Sequence, residues 1–165
     1  MFASIQDFVM EFEMESALTE QTLGALTDES LSQAVASGYR TLGRIAWHLA
    51  HSLNFMASLG LKFDEPLVPD QVPDKAADIA AEYRRIRQAF LRAVRSQWTD
   101  DTLRESVTIL GQEWMNGASL RFVLRHEIHH RGQMTVLMRQ AGLRVPNLLG
   151  YTRDDWIEIG ETPRP

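Results

Sequence analysis

HEIHHRGQM, residues 126–134, holds three of the five histidines of the chain and interrupts an apolar series. Leu120, Val123 and Leu124 precede it, and Met134, Met138 and Ala141 follow at three- and four-residue steps. That period predicts one long helix from about Asn116–Ser119 to Ala141, with Gly142 just past its end and Pro146 beyond. Such a helix needs partners of similar length to cover its apolar side.

Three further segments supply them. Ile5, Phe8, Val9, Phe12, Ser16, Thr19, Leu23 and Leu26 share one helical face. Leu42, Ile45, Ala46, Leu49, Leu53 and Met56 share another, with Gly60 as a stop. Ile79, Tyr83, Ile86, Phe90, Val94 and Trp98 form the third, with Asp74 placed to cap its start. The arginines at 84, 85, 87, 92 and 95 lie largely off that stripe and read as a solvated face. The linker KFDEPLVPDQVPDK (62–75) carries three prolines and cannot be a helix interior. LRESVTIL (103–110) alternates and is β-branched, which predicts an extended segment turning at Gly111. Thr152 with Asp154 and Asp155 marks the start of a short final helix. The expected fold is all-α: a four-helix bundle in one domain, residues 1–165, with an extended segment between helices three and four and a short extra C-terminal helix.

Composition narrows the function. Of 165 residues, 44% are hydrophobic, enough for a core. A net charge of −5 argues against a general nucleic-acid surface. Cysteine is absent, which removes disulfides, thiolate ligands and a cysteine nucleophile. The acidic start MFASIQDFVMEFEMES does not read as a secretory signal, and no apolar run reaches the ~18 residues of a membrane span. A cytoplasmic protein acting on a small molecule, away from membranes, is expected.

Helix geometry sorts the histidines. At about 100° per residue, His126 and His130 fall on one core-facing flank of the long helix, and Gln133 continues their line. His129 falls nearly opposite, with Phe122. On the second helix His48 leans inward and His51 faces away. Residues four apart on a helix lie about 6 Å apart along the axis and about 40° around it, so two such imidazoles can meet at one ion. A third from a facing helix completes a set that leaves coordination positions open, as catalytic metal sites do. Two other readings stand beside this one. The histidines are packed without a metal, or a quarter-turn error in the core direction exchanges the inward set for His51 and His129.

RTLGRIAWHLAH (40–51), followed by HEIHHRGQM and LRVPNLLG (143–150), resembles the DinB/YfiT-like metalloenzyme family, which is distinct from the DNA polymerase of similar name. The resemblance covers about Ile5 to Trp156, and HxxxHRGQ is its most specific element. It implies a four-helix bundle, usually homodimeric, holding a divalent metal (Zn, Ni or Fe) through His48, His126 and His130. The better-understood members of that family include thiol-dependent transferases and isomerases, which use a low-molecular-weight bacterial thiol. Since this chain has no cysteine, such a thiol must be a bound cofactor. The resemblance therefore implies a thiol-dependent S-transferase. A metal-dependent hydrolase using water, or a non-catalytic metal- or ligand-binding dimer, are the alternatives.

Gln133 is a candidate to steady a ligand by hydrogen bonding. Trp47 and Trp114 read as packing residues or as the mouth of a pocket. Glu127 is expected in solvent or paired with Arg131. Glu11 and Glu15 read as a solvated face, with an acid–base role at the site as the alternative. Arg131 is a weaker candidate for holding an anionic substrate. Leu124 and Ile128, with Phe122 and Val136 farther round, spread the apolar surface of the long helix beyond one stripe. That spread points to a homodimer with this helix near the interface.

Overall fold

Ser4 begins the first helix, α1 (Ile5–Gly24): its hydroxyl accepts the Asp7 N–H at 3.2 Å. The computed structural model describes residues 1–63, 71–109 and 111–164. Along α1, Phe8 and Phe12 are fully buried, stack on each other and meet Phe90 edge-on. Ser16 and Thr19 are buried on the same side, and their hydroxyls bond back to the Phe12 and Glu15 carbonyls.

Thr41 caps α2 (Leu42–Ser52) by accepting the Arg44 N–H at 3.2 Å. The apolar series expected to continue as this helix changes pitch. Leu53–Leu59 is a 3₁₀ segment that ends at Gly60, whose φ is +92°. Its buried residues Leu53, Met56 and Leu59 are spaced by three, so a helix of three residues per turn puts all of them on one line.

Of the proline-bearing linker, residues 64–70 lie outside the described residues, and its remaining positions are non-helical. Helix α3 (Ala76–Gln97) buries Ile79, Tyr83, Ile86, Phe90 and Val94 as expected. Asp74 does not cap it. Asp28, far back in the chain, accepts the Ala76 N–H at 2.8 Å and pairs with Lys75 at 2.8 Å. The arginine face of α3 is also less solvated than its charge suggests. Arg87 is only 17% exposed, and it donates to Ser16 at 2.5 Å and to Glu20 at 3.1 Å. Arg95 pairs with Glu13 at 2.6 Å, so part of that face is a charged seam against α1.

The extended segment is a hairpin, β1 (Ser106–Ile109) against β2 (Gln112–Met115), with Val107 opposite Trp114. Gly111 sits at the turn with φ +76°. Helix α4 (Asn116–Gln140) follows without a break. Its second residue must be glycine: a Cβ on Gly117 would stand 2.2 Å from the Phe2 carbonyl oxygen. At its far end Leu143 N–H bonds Met138 O and Gly142 N–H bonds Arg139 O, with Gly142 at φ +76°. That pattern is the Schellman stop expected of this glycine. Thr152 and Asp155 form a capping box at the start of α5 (Arg153–Glu158).

Helices α1 and α2 each pack principally against both α3 and α4. The result is an all-α four-helix bundle carrying a small hairpin and a short final helix. Among the described residues no helix is long and apolar enough to cross a membrane.

Candidate metal centre

Two helices deliver the three inward histidines to one point. His48 comes from α2, and His126 and His130 come from successive turns of α4. The Nε2 atoms of His48 and His126 are 3.2 Å apart, and those of His130 and His126 are 3.1 Å apart. One ligand-capable nitrogen from each of the three lies within 4.8 Å of the others. Nitrogens bound tetrahedrally at about 2.0–2.1 Å from an ion stand about 3.3–3.4 Å apart. The observed spacings are close to that. The rings meet edge to face, at interplanar angles of 64°, 74° and 88°, as imidazoles do when they converge rather than stack.

The protonation state suits ligands. Burial pushes His48 down to about 4, and the charges of His130 and Arg40 push the same way. Burial likewise brings His126 to about 4, helped by His130 and His129. His130 is lowered by burial, although its bond to Gln133 works in the opposite direction. All three are therefore neutral near pH 7, the form that coordinates a metal. Gln133 Oε1 lies 2.7 Å from His130 Nδ1. An amide oxygen only accepts, so Nδ1 carries the proton and Nε2 presents a bare lone pair.

His129 and His51 stay outside this group. His129 is exposed. His51 is half-buried, and its Nδ1 is 3.4 Å from Asn54 Nδ2.

Among the described residues, three cavities adjoin the histidines. One of about 560 Å³ reaches His130 and Gln133 and is walled by Tyr39, Arg40, Val136 and Leu137 among others. A second, about 290 Å³, lies against His48 and His126 between Phe55 and Phe122. A third, about 170 Å³, is lined by Arg40, Arg44, Trp47, His48 and His51. No carboxylate of the described residues lines any of the three. Trp47 is thus both buried and a cavity wall. Trp114 packs edge-on to Phe122, which in turn lies 5.7 Å from the His126 ring.

The acidic residues went elsewhere than their charge suggested. Glu127 is neither solvated nor paired with Arg131. It is 2% exposed, and the Tyr83 hydroxyl donates to its Oε1. Its Oε2 has no hydrogen-bond partner among the described residues, and burial raises its pKa although Tyr83 and Thr19 act in the opposite direction. Arg131 is 3% exposed and donates to the Glu15 carboxylate, to the Glu15 carbonyl at 2.7 Å and to Thr19 at 3.2 Å. Glu15 is therefore committed to Arg131 rather than to solvent or to the histidines. Glu11 lines none of the cavities. The helical angles already held this result. With Leu120 as origin, Glu127 and Arg131 each fall about 20° away, in the middle of the apolar arc.

Phe55, Phe122, Tyr39 and Arg40 are the site neighbours that pattern reading passed over. Phe122 stands one turn before His126 and Phe55 seven residues after His48, spacings that share a helical edge. Tyr39 and Arg40 sit in a loop, where no period points to them.

Comparison with known proteins agrees with this fold. The model of the DinB family matches residues 1–162. The uncharacterized protein YrdA of Bacillus subtilis (strain 168) is 43% identical over 166 residues, covering 99% of each chain. The crystal structure of a DinB-like protein from Bacillus cereus ATCC 10987 superposes with a TM-score of 0.85 at 43% identity, over 88% of this chain and 98% of that one. A DinB-like protein of Bacillus subtilis, YjoA, shares the fold at a TM-score of 0.67 and 17% identity, over 88% of this chain and 99% of its own.

Proposed function

The chain belongs to the DinB family, and from that membership we propose that it is a divalent-metal-dependent enzyme, a transferase that uses a small thiol. The observation that carries the proposal is the convergence of His48, His126 and His130 on one point as neutral imidazoles. The donor set is three borderline nitrogens without a thiolate, which suits Zn, Ni or Fe. An ion held there supplies Lewis acidity, lowering the pKa of a thiol or water that reaches it.

The remaining residues favour the thiol. No carboxylate of the described residues lines these cavities, so none of those acidic side chains stands ready to take a proton from water. A thiol, with an ordinary pKa near ~8.5, needs far less help. With no cysteine in the chain, it must arrive as a small molecule. His51, which lines two of the cavities, is the imidazole placed to carry its proton away.

Cobalt(II)-loaded protein tests this reading. Adding the right member of a panel of low-molecular-weight thiols should change the visible spectrum, because sulfur enters the coordination shell. A spectrum indifferent to every thiol removes the transferase reading and leaves hydrolysis, or ligand binding without turnover.

We also read residues 1–165 as one cytoplasmic domain that pairs with a second copy of itself. On α4, Phe122, Ile128 and Val136 are 42%, 37% and 51% exposed, which supports an interface on that side. Leu124 does not contribute, because it is buried within the bundle.

A further inference from the structure

The surroundings of the three histidines are cationic, although the chain as a whole carries a net charge of −5. Among the described residues, Arg40 is the one side chain outside the trio whose charge acts on all three imidazoles. It lines both the 560 Å³ and the 170 Å³ cavities, so it stands where they adjoin the histidines. Among the described residues it makes no hydrogen bond or ion pair. Arg87, Arg95, Arg131 and Arg144, by contrast, are each committed to a carboxylate. In a protein with 22 acidic residues, the exposed Arg40 guanidinium stands beside the candidate reaction centre paired with none of the described carboxylates.

We propose that Arg40 is the specificity residue for the oxyanion group of a small substrate, a carboxylate or phosphate ester, whose apolar body lies against Tyr39, Val35 and Val136. The inference rests on the metal-enzyme reading only in locating the reacting centre at the histidines. A guanidinium offers paired donors in a plane that matches an oxyanion, and it keeps its charge at any relevant pH. Val35, Tyr39 and Val136 supply the apolar surface expected of a small-molecule site, with few polar groups to fix orientation. The anion would be bound on one side of the large cavity while the remainder of the substrate reaches His130. An electrophilic substrate held by its own negative charge also fits a site where a thiol attacks: the charge sets the position and the reacting carbon stays neutral.

Binding of 3-phenylpropionate, phenyl phosphate and the neutral 3-phenylpropanol, followed by ligand-observed NMR on chelator-treated and zinc-loaded protein, tests this. In the metal-free protein one or both anions should bind at least fivefold more tightly than the alcohol. Which anion prevails identifies the headgroup. Arg40→Gln should erase that preference, and Arg40→Lys should restore part of it, with zinc content and circular dichroism unchanged. The remote Arg84→Gln should behave as wild type. Equal binding of alcohol and anions by the wild type, or an anion preference that survives Arg40→Gln, overturns the proposal. Failure to take up zinc while the Arg40-dependent preference persists sinks the metal reading instead and leaves this one standing.

Discussion

His130 Nδ1 donates to Gln133 Oε1 across 2.7 Å, one helical turn away. This bond decides which nitrogen of His130 is free, and it holds the ring plane. Metal ligands whose outer partner is removed typically lose 10–100-fold in metal affinity. Gln133→Ala should therefore weaken zinc binding by roughly that factor with the fold intact. Isothermal titration against a competing chelator measures it, and an unchanged affinity means the bond is incidental.

The three inward histidines should be non-equivalent to the two outward ones. His48→Ala, His126→Ala and His130→Ala should each abolish stoichiometric metal on elemental analysis, while His51→Ala and His129→Ala retain it. Equal loss in His129→Ala, with unchanged circular dichroism, would falsify the assignment of the face.

Acid should weaken the metal-free protein in a defined window. The folded-state values of His48 and His126 lie at about 4, below the ordinary 6.5 of the unfolded chain. Between those values the unfolded state binds more protons, so stability rises with pH there. It should be complete above about pH 6.5 and fall as pH drops towards 4. Thermal unfolding of chelator-treated protein across that range should show the slope, and His48→Asn should flatten it. Parallel curves for wild type and variant would show that His48 does not contribute.

Tyr83 and Glu127 meet across the centre of the bundle, from α3 to α4. With Glu127 Oε2 already unpaired, deleting the Tyr83 hydroxyl leaves the whole carboxyl unsatisfied by that helix. Tyr83→Phe should cost about 1–3 kcal/mol in urea unfolding. It should leave metal content alone, since neither residue reaches the histidines. A neutral substitution would mean Thr19 or the arginines take over the contact.

Light scattering should report a mass about twice the 18.8 kDa of the chain. Ile128→Glu, on the exposed side of α4, should return it to the monomer value. A monomer at every concentration in the wild type removes the dimer.

Periodicity made the helices and the inward histidines legible, because one angle per residue settles both which side is apolar and which imidazoles lean toward it. Glu127 and Arg131 are harder to place, because their charge points to solvent while their helical angle points to the core. Their burial is stabilised by Tyr83, Glu15 and Thr19 on other helices, partners no local pattern can show. Asp74 lost the capping of α3 to Asp28 for the same reason: the winner lies 48 residues before the N–H it accepts. Arg40 was passed over because a loop residue has no phase to compare.

The order of packing also has a consequence during synthesis. Both principal partners of α1, and both of α2, lie later in the chain. Neither helix can bury its apolar side until α3 and α4 leave the ribosome, so the first half of the nascent chain must wait with Phe8, Phe12, Leu42 and Leu49 uncovered. His48 waits with it. The three-histidine group, which needs residues 126 and 130, can assemble only after most of the chain has been made; an ion bound there would load as a final step of maturation, and the preceding interval is the one in which the chain is open to aggregation.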